Sequence, residues 1–129
     1  MKTKIAIFLC LLTFSNLLFA HGMTKYGPNG GYIKMPGAFH TELVDKGPKM
    51  HVYLLDMSFK NPLVTNSTVK ITYKGASNTE YVCSKGSDFF VCEKPSADLK
   101  NYKEIVVSAM RNNNKAKDAI YSLPLKLDK

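Results

Sequence analysis

The chain has 129 residues, and 18 Lys and Arg side chains against 10 Asp and Glu give it a formal net charge of +8. This length suits one domain and excludes a two-domain enzyme with separate cofactor and substrate domains. The charged fraction of 22% and the aromatic fraction of 11% exclude wholesale disorder. We therefore expect one small folded domain.

The first twenty residues have the pattern of a secretory signal peptide. Lysines at positions 2 and 4 precede an apolar stretch over residues 5–12, and Ala20 offers a small residue for cleavage. Polar residues at 13, 15 and 16 break the apolar run before it reaches the roughly 20 residues that cross a bilayer. Cleavage after Ala20 would leave residues 21–129 as a single periplasmic or secreted domain, with no stable membrane insertion.

The rest of the chain is organised as short β-type runs between turn residues. No segment keeps a helical period for three turns. The runs cover residues 32–35, 39–44, 50–55, 69–73, 79–83, 88–92, 105–110 and 119–127. Seven or eight short strands with regular turn signals are typical of an antiparallel sandwich or barrel. We predict an all-β fold, a single antiparallel β-sandwich of the Ig-like type.

The cysteines predict one disulfide. Cys10 would leave with the signal peptide, so Cys83 and Cys92 remain as an even pair in an exported chain. They end two predicted strands on either side of a turn at Gly86, which would let the bond close a hairpin. Their spacing is not that of a Cys-x-x-Cys redox pair, and no Ser-His-Asp or Cys-His arrangement stands out. We therefore predict that the protein is not an enzyme.

His21 is the first candidate metal ligand, because cleavage after Ala20 would make it the N-terminal residue. Its α-amine and imidazole could then close a chelate ring on one ion, and nitrogen donors of this kind suit Cu(II). Met23 adds a soft thioether that suits Cu(I).

The predicted hairpin over residues 39–55 carries the second group of candidates. A four-residue loop at 45–48 would place Glu42 opposite His51 and His40 opposite Tyr53, all on one face, with positions 39, 41, 43, 50, 52 and 54 in the core. Paired side chains have Cβ atoms about 4.5–5.5 Å apart, so His40, Glu42 and His51 could converge on one ion. The alternative is a polar outer face in which Glu42 accepts a hydrogen bond from His51 and no metal binds.

The methionines divide into two groups. Methionine more often fills gaps in a core than binds metal, and we assign Met50 and Met110 to that role. Met35 and Met57 are weaker candidates for a thioether site at the surface.

The chain has two partial resemblances. A small exported β-domain that starts at His21 resembles the periplasmic copper carriers of the CopC type, which implies an Ig-like sandwich and Cu(II) bound by the N-terminal amine and histidine side chains. Residues 27–31, 40–44 and 52–56 (Gly-Pro-Asn-Gly-Gly, His-Thr-Glu-Leu-Val and Val-Tyr-Leu-Leu-Asp) resemble small periplasmic domains found with heavy-metal efflux systems. In those domains a histidine often stands where Asn29 stands here. This second resemblance implies a metal efflux or metal-delivery protein as partner.

Together these patterns predict an exported copper-binding protein that carries or sequesters the ion. The predicted ligands are His21, His40, His51 and Met23, with Glu42 as a ligand or as the group that orients His51. The lysines are spread over the whole chain, which is not typical of a nucleic-acid-binding protein. The alternative function is a non-metal binding module of the cell envelope that uses the sandwich for protein or polymer contacts.

Overall fold

Strands account for nearly all the regular structure in the computed structural model of the protein, which describes residues 24–128. These residues form ten strands and one short 3-10 helix, Leu99–Asn101. In chain order the strands are β1 Tyr32–Lys34, β2 His40–Asp45, β3 Met50–Leu55, β4 Thr68–Gly75, β5 Thr79–Val82, β6 Ser84–Lys85, β7 Phe90–Cys92, β8 Tyr102–Arg111, β9 Asn114–Lys115 and β10 Ala119–Ser122. The predicted all-β class is confirmed for this part of the chain.

The strands form two antiparallel sheets. The first has the order β1-β2-β3-β7-β6, and the second has the order β10-β8-β4-β5, with β9 paired to β8. Each of the eight predicted runs overlaps one strand, but the predicted total of seven or eight is wrong. The two extra strands, β6 and β9, have two residues each, too few to show an alternating pattern. No helix within residues 24–128 is long and apolar enough to cross a membrane.

One hydrophobic cluster draws its side chains from both sheets. The alternating buried residues of β2 and β3 in the first sheet, and of β4 and β8 in the second, belong to it. A cross-sheet hydrogen bond adds to it, because the Tyr121 hydroxyl donates to the Thr41 carbonyl at 2.7 Å. The six positions that we assigned to the core on β2, on β3 and just before β2 are all buried: Phe39, Thr41, Leu43, Met50, Val52 and Leu54.

The register of the β2–β3 hairpin differs from the prediction. Asp45 pairs with Met50, so the loop spans residues 46–49 instead of 45–48. The loop closes there because the Asp45 carboxylate accepts a hydrogen bond from the Gly47 backbone N–H, and Gly47 has a φ of +84° that favours glycine. Each residue of β2 therefore pairs two positions further along β3 than predicted. A shift of two keeps every side chain on its predicted face.

The Cys83–Cys92 disulfide is confirmed. Cys83 lies where the chain leaves β5, in the second sheet, and enters β6, in the first. Its N–H still donates to the Val69 carbonyl of the second sheet at 2.9 Å. The predicted direct pairing of residues 79–83 with residues 88–92 is therefore wrong, because β5 pairs with β4 and only β6 pairs with β7. The bond closes the short β6–β7 hairpin at the point where the two sheets meet.

Candidate functional site

Glu42 is fully buried on β2, with 0% of its surface exposed. One carboxylate oxygen accepts hydrogen bonds from the backbone N–H groups of Asn29 and Gly31, at 2.9 and 2.8 Å. The other oxygen accepts one from the Asn29 side-chain amide at 2.9 Å. These bonds hold residues 27–31 against the sheet. The carboxylate that we predicted as a metal ligand therefore stabilises the fold through its hydrogen bonds.

The glycines of that turn allow this close packing. A Cβ atom added to Gly27 would lie 2.5 Å from a Glu42 carboxylate oxygen, and one added to Gly31 would lie 2.5 Å from the Leu43 carbonyl oxygen. Gly30 has a φ of +77°, which favours glycine for its backbone conformation. Asn29 serves to bind Glu42 through both its backbone N–H and its side-chain amide.

His40 begins β2 and is held by two contacts. Its Nδ1 atom lies 3.0 Å from the Asp56 backbone carbonyl oxygen, and its ring stacks on Phe59 with centroids 4.0 Å apart and planes at 18°. A carbonyl oxygen can only accept, so Nδ1 carries the proton and Nε2 keeps its lone pair in the neutral ring. Nε2 forms no hydrogen bond with any residue between 24 and 128. With 5% of the residue exposed, the His40 ring is buried and fixed in this orientation.

The loop that follows β3 is built to hold Phe59 in place. The Asp56 carboxylate accepts hydrogen bonds from the backbone N–H groups of Ser58 and Lys60, both at 2.9 Å, and from the Asn61 side chain at 2.7 Å. The Lys60 bond is the largest cause that lowers the pKa of Asp56 below its ordinary value. Phe59 has a φ of +61°, a region that a bulky residue rarely adopts. Backbone strain of this kind is often found at functional sites.

Arg111, at the end of β8, ties this loop to both sheets. Its Nε donates to the Leu54 carbonyl at 3.1 Å and its Nη2 donates to the Asn61 carbonyl at 2.6 Å. The sequence patterns did not indicate that this loop belongs to the site. The turn-forming Asp56, Ser58 and Asn61 directly after a strand were the signal that it would be ordered.

His51 lies elsewhere on the same face. It pairs with Val44 instead of Glu42, and its ring stacks on Phe89 with centroids 4.4 Å apart. Burial, together with the nearby charge of Lys46, lowers the pKa of His51. Val44, the residue of β2 opposite His51, lies four positions from His40. At about 3.3 Å per residue, the two histidines are therefore about 13 Å apart along the strand.

The predicted convergence of His40, Glu42 and His51 therefore does not form. The prediction that Glu42 and His51 are directly opposed is wrong, because the loop register differs. Among the described residues, no group of three or more His, Cys, Asp or Glu side chains could hold a metal ion. The shared face was predicted correctly, but the three side chains do not meet, and His40 is the one of them whose ring nitrogen contacts a backbone carbonyl.

Two of the candidate methionines lie at the same end of the first sheet as His40. Met35 follows the end of β1 and is 37% exposed, and Met57 follows the end of β3 and is 57% exposed. Met50 is fully buried, which confirms its assignment to the core. Met110 lies outside the core cluster and beside Val82 at the surface of the second sheet, so its assignment to the core is wrong.

His21 and Met23 precede the described residues, which begin at Thr24. Tyr26 packs edge-on against Tyr32, with ring centroids 5.6 Å apart. Tyr32 in turn lines a cleft of about 560 Å³ with Asp45 and the C-terminal segment around Leu125. Asp45 ends β2 and His40 begins it, so this cleft lies at the opposite end of the first sheet from His40.

Comparison of the chain with protein-family models, with curated proteins and with solved structures gives no match. The central feature of the site is one buried histidine, fixed by the Asp56 carbonyl and by Phe59, at the end of the first sheet where two exposed methionines also lie.

Proposed function

We propose that the protein is an exported copper-binding protein that carries or sequesters the ion, with His40 as its central ligand. The single observation that supports this is the hydrogen bond between His40 Nδ1 and the Asp56 carbonyl, at 3.0 Å. Histidines that bind metals usually donate their other ring N–H to a carbonyl or carboxylate, which fixes the tautomer and the ring orientation. His40 has this arrangement, with Nε2 left as the donor atom.

The surroundings of His40 add to this argument. Its ring lies between the sheet and Phe59, so little rotamer freedom remains to be lost when an ion binds. Imidazole is a good ligand for copper, in either common oxidation state. The Asp56 loop, which is held by its own hydrogen bonds, would act as the support that keeps the ring in place.

The ligand set of this proposal is smaller than the sequence predicted. Glu42 is excluded by its three hydrogen bonds, and His51 by its distance from His40. His21 and Met23 stay in the proposal as donors from the N-terminal segment. An N-terminal amine and imidazole would add nitrogen ligands, if cleavage after Ala20 exposes them.

The proposal extends to architecture and location. We propose that the two sheets pack as an Ig-like sandwich similar to the CopC-type carriers, which the shared core cluster supports. The signal-peptide pattern of residues 1–20 supports a periplasmic or secreted location. A metal efflux or metal-delivery protein of the envelope is the proposed partner, and the proposed role is binding without catalysis.

The cleft at the other end of the sheet favours a second candidate function. Its lining is largely apolar, with Leu99, Leu123 and Leu125 next to Tyr32 and Tyr102. Clefts of this size and composition are the usual sites of small ligands. A non-metal binding module of the envelope would use this cleft and would have no need of the arrangement at His40.

Copper titration of matched histidine variants tests the proposal. Asn places its amide near the position of Nδ1, so His40→Asn can keep the hydrogen bond to Asp56, while it removes Nε2 and the ring that stacks on Phe59. His51→Asn is the matched control. We expect the exported wild-type protein and His51→Asn to bind one copper ion, and His40→Asn to bind it at least about tenfold more weakly.

Two results would contradict this proposal, one for the function and one for the role of His40. If the wild-type protein takes up neither Cu(I) nor Cu(II) beyond nonspecific binding, the proposed function is wrong. Binding that is equal in all three proteins would exclude His40 as the central ligand. Circular dichroism of each variant shows that the comparison is made between folded proteins.

A further inference from the structure

The cleft at the opposite end of the first sheet from His40 lies between the ends of the two sheets. Tyr32 begins β1 and Asp45 ends β2 in the first sheet, whereas Tyr102 begins β8 in the second. The 3-10 helix before β8 and the segment after β10 complete the walls. The volume of about 560 Å³ falls within the range of roughly 300–1,000 Å³ that is typical of small-molecule sites.

Most of the walls consist of apolar side chains that are only partly buried. They pack against the core cluster and also line the cleft: Tyr32, Leu99, Tyr102, Leu123 and Leu125. Removal of such surface from water is favourable, so these walls favour a ligand with an apolar body.

Hydrogen bonds hold the walls in place. The Asp98 carboxylate accepts the backbone N–H of Lys100 at 3.0 Å and so caps the 3-10 helix. The Leu123 N–H donates to a backbone carbonyl of β8 at 2.8 Å, and a salt bridge of 2.8 Å between Lys34 and Asp128 holds the C-terminal segment. The cleft is therefore formed before a ligand enters it, as small-molecule sites usually are.

The charge of the cleft comes from Lys100. Two charged side chains line it, Asp45 and Lys100. The Asp45 carboxylate already forms a salt bridge with Lys94 at 2.7 Å and accepts the Gly47 N–H. Lys100 forms no salt bridge with any residue between 24 and 128. The cleft thus combines apolar walls with one uncompensated positive charge.

The Tyr32 hydroxyl is a second polar group of the cleft. It donates to the Leu125 carbonyl at 3.5 Å, which is long for a hydrogen bond between two oxygen atoms. Because this bond is weak, the oxygen atom of a ligand can replace the carbonyl as acceptor at little cost.

We propose that this cleft binds a small amphiphilic monocarboxylate, whose apolar body lies between the sheet ends and whose carboxylate contacts the Lys100 ammonium and the Tyr32 hydroxyl. The inference rests on the second candidate function, to which it assigns a ligand class, and it is independent of the copper proposal. A single carboxylate matches the single free ammonium. A phosphate monoester, with about two negative charges, would keep one of them uncompensated.

Calorimetric titration with two probes tests the proposal. Decanoate, kept below the concentration at which it forms micelles, supplies the carboxylate, and decanol is its uncharged counterpart. The variant is Lys100→Gln, and Lys103→Gln is the matched control, because both lysines are exposed and Lys103 does not line the cleft. We expect Lys100→Gln to bind decanoate about three- to tenfold more weakly and decanol unchanged, and Lys103→Gln to match the wild type with both probes.

A second variant tests the apolar walls. Leu125→Ala removes part of one wall near the end of the chain and should weaken decanoate and decanol alike. NMR of leucine methyl groups in the wild-type protein locates the bound probe. Decanoate should shift the signals of Leu99, Leu123 and Leu125, and the signals of Leu63, in the loop after β3, should stay in place.

The outcomes separate the ligand class from the site and from the copper proposal. Decanoate and decanol that bind equally, and are both insensitive to Lys100→Gln, would overturn the carboxylate and leave the second candidate function standing. Failure of the wild-type protein to bind either probe, or shifts at Leu63 in place of the cleft leucines, would overturn both. His40→Asn should bind decanoate as the wild type does, and a loss of binding in that variant would contradict the location of the site.

Discussion

Replacement of Glu42 tests whether this carboxylate is part of the fold or part of a metal site. Glu42→Leu keeps the volume but leaves the backbone N–H groups of Asn29 and Gly31 without their acceptor. Each buried, unsatisfied N–H costs about 1–3 kcal/mol, so we expect a loss of about 4 kcal/mol in the free energy of unfolding. In a domain of this size that loss lowers the melting temperature by roughly 15 °C.

Glu42→Gln gives an intermediate case. It keeps an acceptor oxygen but replaces three charge-assisted hydrogen bonds with neutral ones, which should cost about 1–3 kcal/mol. Urea denaturation at neutral pH measures both variants, and an unchanged slope with denaturant would show that the unfolding transition itself is the same. The control is Glu80→Gln, an exposed residue of β5, for which we expect a change within about 0.5 kcal/mol.

The same variants distinguish the two roles of Glu42. If the reasoning is right, Glu42→Gln loses stability and, once folded, binds copper as the wild type does. A Glu42→Gln protein with wild-type stability and greatly weakened copper binding would refute the assignment of this carboxylate to the fold. Equal stability of Glu42→Leu and Glu80→Gln would refute the hydrogen-bond argument itself.

Three further predictions concern stability. Thr41 is fully buried and its hydroxyl has no hydrogen-bond partner among the described residues. Thr41→Val should therefore raise the free energy of unfolding, measured by urea denaturation, by about 0.5–1 kcal/mol. A decrease would show that the hydroxyl is hydrogen-bonded. Burial, with the charge of Lys46, lowers the pKa of His51 below its ordinary 6.5. As the pH falls, the unfolded chain therefore takes up this proton before the folded protein does. The stability that His51 contributes above pH 6.5 is lost as the pH falls through the lower, folded-state pKa. His51→Phe keeps an aromatic ring in the stack and should lose less stability than the wild type when the pH falls from about 7 to about 5; parallel pH profiles would contradict this. Cys83→Ala/Cys92→Ala opens a loop with a sequence separation of 9. It should lower the free energy of unfolding by about 2–3 kcal/mol relative to the oxidised wild type. An unchanged melting temperature would show that the bond does not stabilise the fold.

The sequence predicted the faces of β2 and β3 but not the pairing between them. Alternation alone puts His40, Glu42 and His51 on one side, because side chains on a strand have a period of two. The pairing depends on where the loop closes, and that was decided by the Asp45–Gly47 hydrogen bond and the conformation of Gly47. A four-residue loop one position earlier has the same length and leaves every side chain on the same face, so no pattern of apolar residues distinguishes the two.

The contacts that fix the His40 ring could not be predicted from the sequence either, for a different reason. Phe59 and the Asp56 carbonyl belong to a loop, which has no periodicity, and the contact of Phe59 depends on a positive φ that a bulky residue rarely adopts. Alternation did mark Met50 as a core residue, since it lies in a well-formed strand. The placement of Met35 and Met57 at one end of the first sheet depends on which strand ends meet, and this follows from the pairing of β1, β2 and β3 rather than from either segment alone.

The contacts between the two ends of the chain have a consequence for the speed of folding. The Tyr121 hydroxyl binds the Thr41 carbonyl across 80 positions, and Lys34 binds Asp128 across 94. Proteins dominated by such distant contacts close large loops before they gain native interactions, and they fold in milliseconds to seconds instead of microseconds. Strand β1 and the core residue Tyr121 therefore reach their final contacts only when almost the whole chain is present. For a chain that is proposed to be exported, slow closure of these distant contacts leaves more time for transfer before the fold is complete.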